Sequence, residues 1–156
     1  QANHPTVIRY PRGIGEGVEW RDTPFTTLEE GRGEQLRDGS DIAIIGVGPM
    51  VNVALRAAEQ TTRSVAVYDI RYAKPLDTTL IEDIASRFSK IVTIEDGILR
   101  GGVGEAIAAH LGRTASTTTI TTLGIDDRFV EHGKPAELYA ECCYDSESLL
   151  KVLESL

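Results

Sequence analysis

Basic charge is in short supply in this chain: 16 lysines and arginines stand against 24 aspartates and glutamates, for a net charge of −8. Nucleic-acid binding relies on a basic footprint that displaces counterions, so a general role on DNA or RNA is excluded. Cysteine is also scarce. The only two, Cys142 and Cys143, are adjacent. A disulfide between neighbours is strained, so no disulfide framework is expected. Two thiols in a reducing compartment are the expectation, and with them a cytoplasmic protein. No apolar run approaches the ~20 residues that span a bilayer, and no secretory pattern opens the chain. The three histidines, His4, His110 and His132, have no metal-ligand spacing. Nothing matches a zinc signature, an EF-hand or a Ser-His-Asp arrangement.

What is present suits a globular α/β protein. The 156 residues are 41% hydrophobic, enough for about one domain with a substantial core. Near the start, Thr6-Val7-Ile8 leads directly into Arg9-Tyr10-Pro11-Arg12-Gly13. A strand beginning at residue six, with no lead-in, is expected to be the last strand of a preceding domain. Residues 13–40 are irregular and punctuated by glycine, and read as a linker over a surface, pinned by Val18 and Trp20. A short strand is expected at 34–36, turning at Asp38-Gly39.

From residue 41 the pattern alternates. Asp41–Gly46, Val65–Tyr68, Ile91–Ile94 and 117–123 read as strands. Between them lie helical stripes: Met50, Val53, Ala54, Ala57, Ala58; then Leu80, Ile81, Ile84, Ala85, Phe88; then Val103, Ala106, Ile107, His110, Leu111. Pro49 suits the first turn of the first helix, and Thr79 with Glu82 suits a capping box on the second. Two short helices are expected at 135–142 and from about residue 145, the second carrying Leu149, Leu150, Val152 and Leu153. Alternating strands and helices imply right-handed crossovers and a parallel sheet covered on both faces.

Four motifs invite a chemical reading. Gly46-Val47-Gly48 follows a strand and precedes a helix, like a dinucleotide fingerprint, but Val51 stands where its third glycine belongs; a tight turn is favoured. Gly101-Gly102-Val103-Gly104 could present N–H groups to an anion, yet Glu95 and Asp96 just before it would repel one, and close helix packing is favoured. The charged run Asp69-Ile70-Arg71-Tyr72-Ala73-Lys74-Pro75-Leu76-Asp77 lies where sites form in open α/β sheets. A salt-bridged loop meeting another domain is the preferred reading. Arg9 and Arg12 flank a stiffening proline, as bidentate phosphate or carboxylate donors would, with surface ion pairing as the alternative.

Four segments in register carry a resemblance. Ile8-Arg9-Tyr10-Pro11-Arg12-Gly13, the D-x-R-[FY]-x-K-P-L-D run at 69–77, Thr93-Ile94-Glu95 followed by Gly101-Gly102-x-Gly104, and Leu123-Gly124-Ile125-Asp126-Asp127-Arg128-Phe129-Val130 followed by Gly133 resemble the 1-deoxy-D-xylulose-5-phosphate synthase family. Asp126 replaces a proline of that pattern. The resemblance implies a three-layer α/β/α fold, with a five-stranded, mostly parallel sheet and one antiparallel strand, as in transketolase C-terminal domains. It implies residues 1–12 as the residual last strand of a pyrimidine-binding domain, 13–33 as linker and 34–156 as the C-terminal domain. Thiamine diphosphate and Mg2+ would serve the full-length parent, with none in this chain, which lacks the G-D-G…N motif and is expected to be inactive alone. The parent is implied to be a homodimer acting on pyruvate and glyceraldehyde 3-phosphate. Arg12 is implied to bind the substrate phosphate, and Arg9 is a weaker candidate. Asp69, Arg71, Lys74, Asp77, Gly101, Gly102 and Gly104 are given structural or interdomain roles, and no catalytic or metal-binding residue is assigned. The alternatives are another thiamine-enzyme C-terminal domain, from a transketolase or an oxo-acid dehydrogenase E1 β-subunit, and a free-standing α/β interaction module.

Overall fold

The computed structural model describes residues 5–8, 10 and 21–156. Arg9, Arg12, and the linker positions Val18 and Trp20 lie outside the described residues. Ten elements follow in order: β1 (Glu34–Arg37), β2 (Ile42–Gly46), α1 (Met50–Gln60), β3 (Val65–Asp69), α2 (Thr78–Arg87), β4 (Lys90–Ile98), α3 (Val103–Arg113), β5 (Thr119–Ile125), α4 (Pro135–Glu141) and α5 (Ser146–Ser155).

The strands form one sheet in the order β1-β3-β2-β4-β5. Four are parallel; β1 alone runs antiparallel, on β3, with Glu34 opposite Asp69 and Gln35 opposite Tyr68. The expected fold class is therefore the observed one. Period-two alternation along the central strands splits the apolar residues into two layers. Ile42, Ile44, Val65, Val67, Val92 and Ile94 pack with α1 and α5. Ala43, Ile45, Ala66, Tyr68 and Ile91 pack with α2 and α3 on the other face. The chain winds one way from β2 to β3 and the other way from β4 to β5, so right-handed crossovers put α1 and the α2–α3 pair on opposite faces. Burying one of these isoleucines is worth about 2 kcal/mol, whereas an exposed ion pair such as Arg87–Asp83 is worth about 1 kcal/mol or less. The two layers, not surface charge, hold the domain.

Three local expectations are corrected. Thr79 and Glu82 form no capping box: α2 starts two residues earlier than that box needs, and Asp77 is its cap, accepting from the Leu80 N–H at 3.0 Å. Glu82 instead reaches across to His110 on α3, 2.8 Å away. Ala106 is exposed; the buried stripe of α3 is Gly104, Ile107 and Leu111. Finally, β4 does not stop with its apolar run at Ile94 but continues to Ile98, across a bulge opposite β5.

Candidate functional site

In open α/β sheets, ligands and partners meet the carboxyl ends of the strands where the strand order reverses. Here that point lies between β2 and β4. The turn after β2 is closed by the chain's own packing. A Cβ on Gly46 would come within 2.8 Å of the Val51 side chain, so the residue standing where a dinucleotide fingerprint has its third glycine fills that space. Val51 is itself buried, and the Val47 N–H donates to the Ile94 carbonyl at 3.0 Å, tying this turn to β4.

The end of β4 carries two consecutive carboxylates that point to opposite faces. Glu95, 6% exposed, turns toward α3. Its oxygens accept from the Val103 N–H at 3.0 Å and from the Gly104 N–H at 2.9 Å. An anion thus does occupy the helix N-terminus, where orphan N–H groups and the helix dipole favour negative charge, and that anion is the chain's own. Gly102 and Gly104 permit the close approach. A Cβ on Gly104 would sit 2.5 Å from Thr93 Oγ1, and one on Gly102 would sit 2.6 Å from Glu95 Oε1. With Glu95 seated there, no phosphate or diphosphate can use this helix end.

Asp96 turns the other way, toward the C-terminal helices. Tyr144 donates to its Oδ1 at 3.0 Å and Tyr139 to its Oδ2 at 3.3 Å. The two rings lie 5.0 Å apart, tilted by 43°. Burial, then the Asp96 carboxylate, pushes both phenol pKa values above their ordinary range, that of Tyr144 furthest. This wall borders a cleft of about 380 Å³ whose lining includes Tyr10, Asp96, Ile125, Leu138, Tyr139 and Tyr144.

The charged loop from Asp69 to Asp77 is tied largely to its own domain. Asp69 Oδ1 accepts from the Arg71 N–H at 2.9 Å. Arg71 adopts a left-handed backbone, φ 55°, and pairs with Glu34 on β1. Asp77, 5% exposed, accepts from Gly33 N–H at 3.0 Å as well as from Leu80, and Arg32 stands 3.7 Å away. That carboxylate clips the end of the linker to the start of α2. Lys74 and Gly101 are exposed. The structure therefore clusters Asp69 with Arg71, and Gly102 with Gly104, while Asp77 forms a separate node. Among the described residues, no group of three or more His, Cys, Asp or Glu is arranged to hold a metal ion, and no helix is long and apolar enough to cross a membrane.

The Asp96–Tyr139–Tyr144 group was not legible in the sequence. Its members are 43 and 48 residues apart. The one available signal was compositional: only five tyrosines occur, and two of them fall within a six-residue stretch after the last strand.

Comparison with known proteins agrees with this architecture. The family described as transketolase, C-terminal domain, matches residues 31–149. The 1-deoxy-D-xylulose-5-phosphate synthase of Bacteroides thetaiotaomicron is 44% identical over 153 residues, covering 96% of this chain and 24% of that protein. The synthase of the same name from Phocaeicola vulgatus is 44% identical over 155 residues, covering 97% and 24%. The chain thus spans about a quarter of the length of these relatives. Among solved structures, a split-gene transketolase described as an inactive β4 tetramer superposes with a TM-score of 0.78 at 28% identity, over 89% of this chain and 46% of that one.

Proposed function

The chain belongs to the transketolase C-terminal domain family, and from that premise we propose that it is the C-terminal part of a 1-deoxy-D-xylulose-5-phosphate synthase. Such a transferase joins pyruvate to glyceraldehyde 3-phosphate, releases carbon dioxide and yields 1-deoxy-D-xylulose 5-phosphate for isoprenoid, thiamine and pyridoxal synthesis. One observation carries this reading: identity of 44% with a protein bearing that name extends over 96% of this chain, the irregular linker included. The lower identity with the split-gene transketolase, 28%, favours the synthase over a transketolase.

In this reading residues 1–12 close the pyrimidine-binding domain, 13–33 link and 34–156 form the C-terminal domain of a cytoplasmic homodimer. Thiamine diphosphate and Mg2+ belong to the remainder of the protein. The described residues do not fit the cofactor's diphosphate, because the α3 N-terminus is filled by Glu95 and the β2 turn by Val51. The isolated chain is accordingly inactive.

This chain's contribution to the chemistry is Arg12. A substrate phosphate dianion calls for a permanently charged, bidentate donor, and a guanidinium beside a proline meets that need at reduced entropic cost. Arg9 orients the same segment. Asp69, Arg71 and Asp77 shape the sheet edge, and exposed Lys74 meets the preceding domain. In the full-length enzyme, Arg12→Ala should raise KM for glyceraldehyde 3-phosphate by about 10-fold or more with KM for pyruvate little changed, since a charge-assisted bidentate contact is worth roughly 1.5–3 kcal/mol. Steady-state kinetics with each substrate varied in turn check this; equal effects on both would remove Arg12 from the phosphate role.

A further inference from the structure

The cleft beside Asp96 holds a charge that the domain does not neutralise. Asp96 is half-buried and takes its hydrogen bonds from two phenols, Tyr139 and Tyr144. Burial and the carboxylate raise the pKa values of both phenols, so they stay protonated and solvate the charge without cancelling it. Glu131 borders the same cleft and adds a second carboxylate. Among the described residues, no lysine, arginine or histidine pairs with either one. Arg128 stands 3.5 Å from the Sγ of Cys142 at the edge of the cleft, but it is engaged with Glu141 at 2.9 Å. A carboxylate drawn out of water without a cation is costly.

The other walls indicate what the missing cation is attached to. Ile125 and Leu138 supply apolar surface, and the rings of Tyr139 and Tyr144 line the cleft 5.0 Å apart. Aromatic rings accept both an apolar body and a cation. A volume of about 380 Å³ falls within the range of small-molecule sites, which combine an apolar lining with a few polar groups. One wall is fixed, since Tyr144 is 2% exposed, and the mouth is open, since Tyr10 at its border is 81% exposed. Two carboxylates repel a phosphate-bearing ligand. We propose that this cleft is a binding site for a small organic cation, an ammonium paired with Asp96 and Glu131 and carried on an apolar body that lies against Ile125, Leu138 and Tyr139. The site is independent of the role given to Arg12 and of the activity proposed above. Because Tyr139 and Tyr144 already hold Asp96 in place, binding requires no rearrangement of that wall.

The test probe is phenethylammonium, with phenethyl alcohol and phenylpropionate as its neutral and anionic counterparts. Each is titrated into the isotope-labelled 156-residue chain and followed by amide chemical shifts. Saturation transfer repeats the comparison on the full-length protein. Phenethylammonium should bind with a Kd of about 1 mM, about 10-fold more tightly than the alcohol, and phenylpropionate should not bind. The shifts should centre on Ile125, Leu138 and Tyr139. Asp96→Asn keeps one acceptor oxygen for the phenols and removes the charge. It should weaken the ammonium about 10-fold and leave the alcohol within about 2-fold. Glu131→Gln, at an exposed position, should weaken the ammonium about 3-fold, and it carries the comparison if Asp96→Asn does not fold. Equal affinity for ammonium and alcohol, shifts centred elsewhere, or an ammonium affinity that neither substitution lowers overturns the site. Binding that is present in the 156-residue chain and absent in the full-length protein overturns it as a small-molecule site, and gives the cleft to a side chain of the preceding domains.

Discussion

Glu95 and Asp96 are neighbours on one strand, and they organise two unlike regions. On the α3 face, Glu95 gives both carboxylate oxygens to backbone N–H groups and closes the site against any other anion. On the α4–α5 face, Asp96 takes two phenols and leaves a cleft beside them. The same functional group, one residue apart, thus completes the domain on one side and leaves it receptive on the other. Strand pleating explains the divergence, since successive side chains point to opposite faces. What each carboxylate meets explains the rest. Each carboxylate accepts one hydrogen bond per oxygen, but Glu95 is buried against the N–H groups at the positive end of a helix, whereas Asp96 is half-buried and borders open space.

The largest test of this contrast is on the Glu95 side. Glu95→Ala strips two N–H groups of their charged acceptor and should cost about 3 kcal/mol, read as a lowered midpoint in urea denaturation. Glu95→Gln, which keeps one acceptor oxygen, should recover about half of that loss. A Glu95→Ala cost no greater than that of the corresponding change at Asp96 would erase the distinction between the buried and the half-buried carboxylate.

Asp96→Asn should act more mildly and more locally. It keeps one acceptor oxygen and should cost about 1.5 kcal/mol. Amide exchange should accelerate in α4 and the Cys142–Tyr144 turn while α3 keeps its protection. Faster exchange in α3 would mean that the two faces are not independent.

The smallest effect is expected from Tyr144→Phe, about 1 kcal/mol at neutral pH, together with a changed alkaline limb. Because burial and Asp96 hold the Tyr144 proton more tightly in the folded state than in the unfolded chain, its contribution is complete below the unfolded phenol pKa of about 10 and is lost as pH rises above it. Tyr144→Phe should flatten the fall in stability above about pH 10. An identical slope in both proteins would deny the phenol its coupling to Asp96.

Much of the architecture was legible because it is periodic. Asp41–Gly46 and Val65–Tyr68 announce buried strands, and the spacing of Met50, Val53, Ala54, Ala57 and Ala58 announces the face of α1 that the sheet covers. The short antiparallel β1 was legible at Glu34–Leu36, one residue short of its observed end at Arg37. Polar signals were misread where two local solutions competed. Thr79 with Glu82 has the spacing of a capping box, but Asp77 caps α2 and Glu82 pairs with His110. The sequence reading of Glu95 as excluding other anions from Gly101–Gly104 missed only the means. A carboxylate nine residues before Gly104 can fold back and become the anion itself.

Sequence alone determined the layers of this protein: which stretches are strands, which are helices, and which side of each is apolar. Those follow from periods of two and 3.6 residues, which are local properties of the backbone. The relation of the opening hexapeptide to known synthases was likewise carried by residue order. Only the tertiary structure decided where the polar groups spend their hydrogen bonds. Asp77 holds Gly33 across 44 positions, and Asp96 holds Tyr139 and Tyr144 across 43 and 48. No local period encodes such pairs. They arise because the crossovers bring distant segments to one sheet edge, where each buried donor and acceptor must find a partner from whatever the fold delivers.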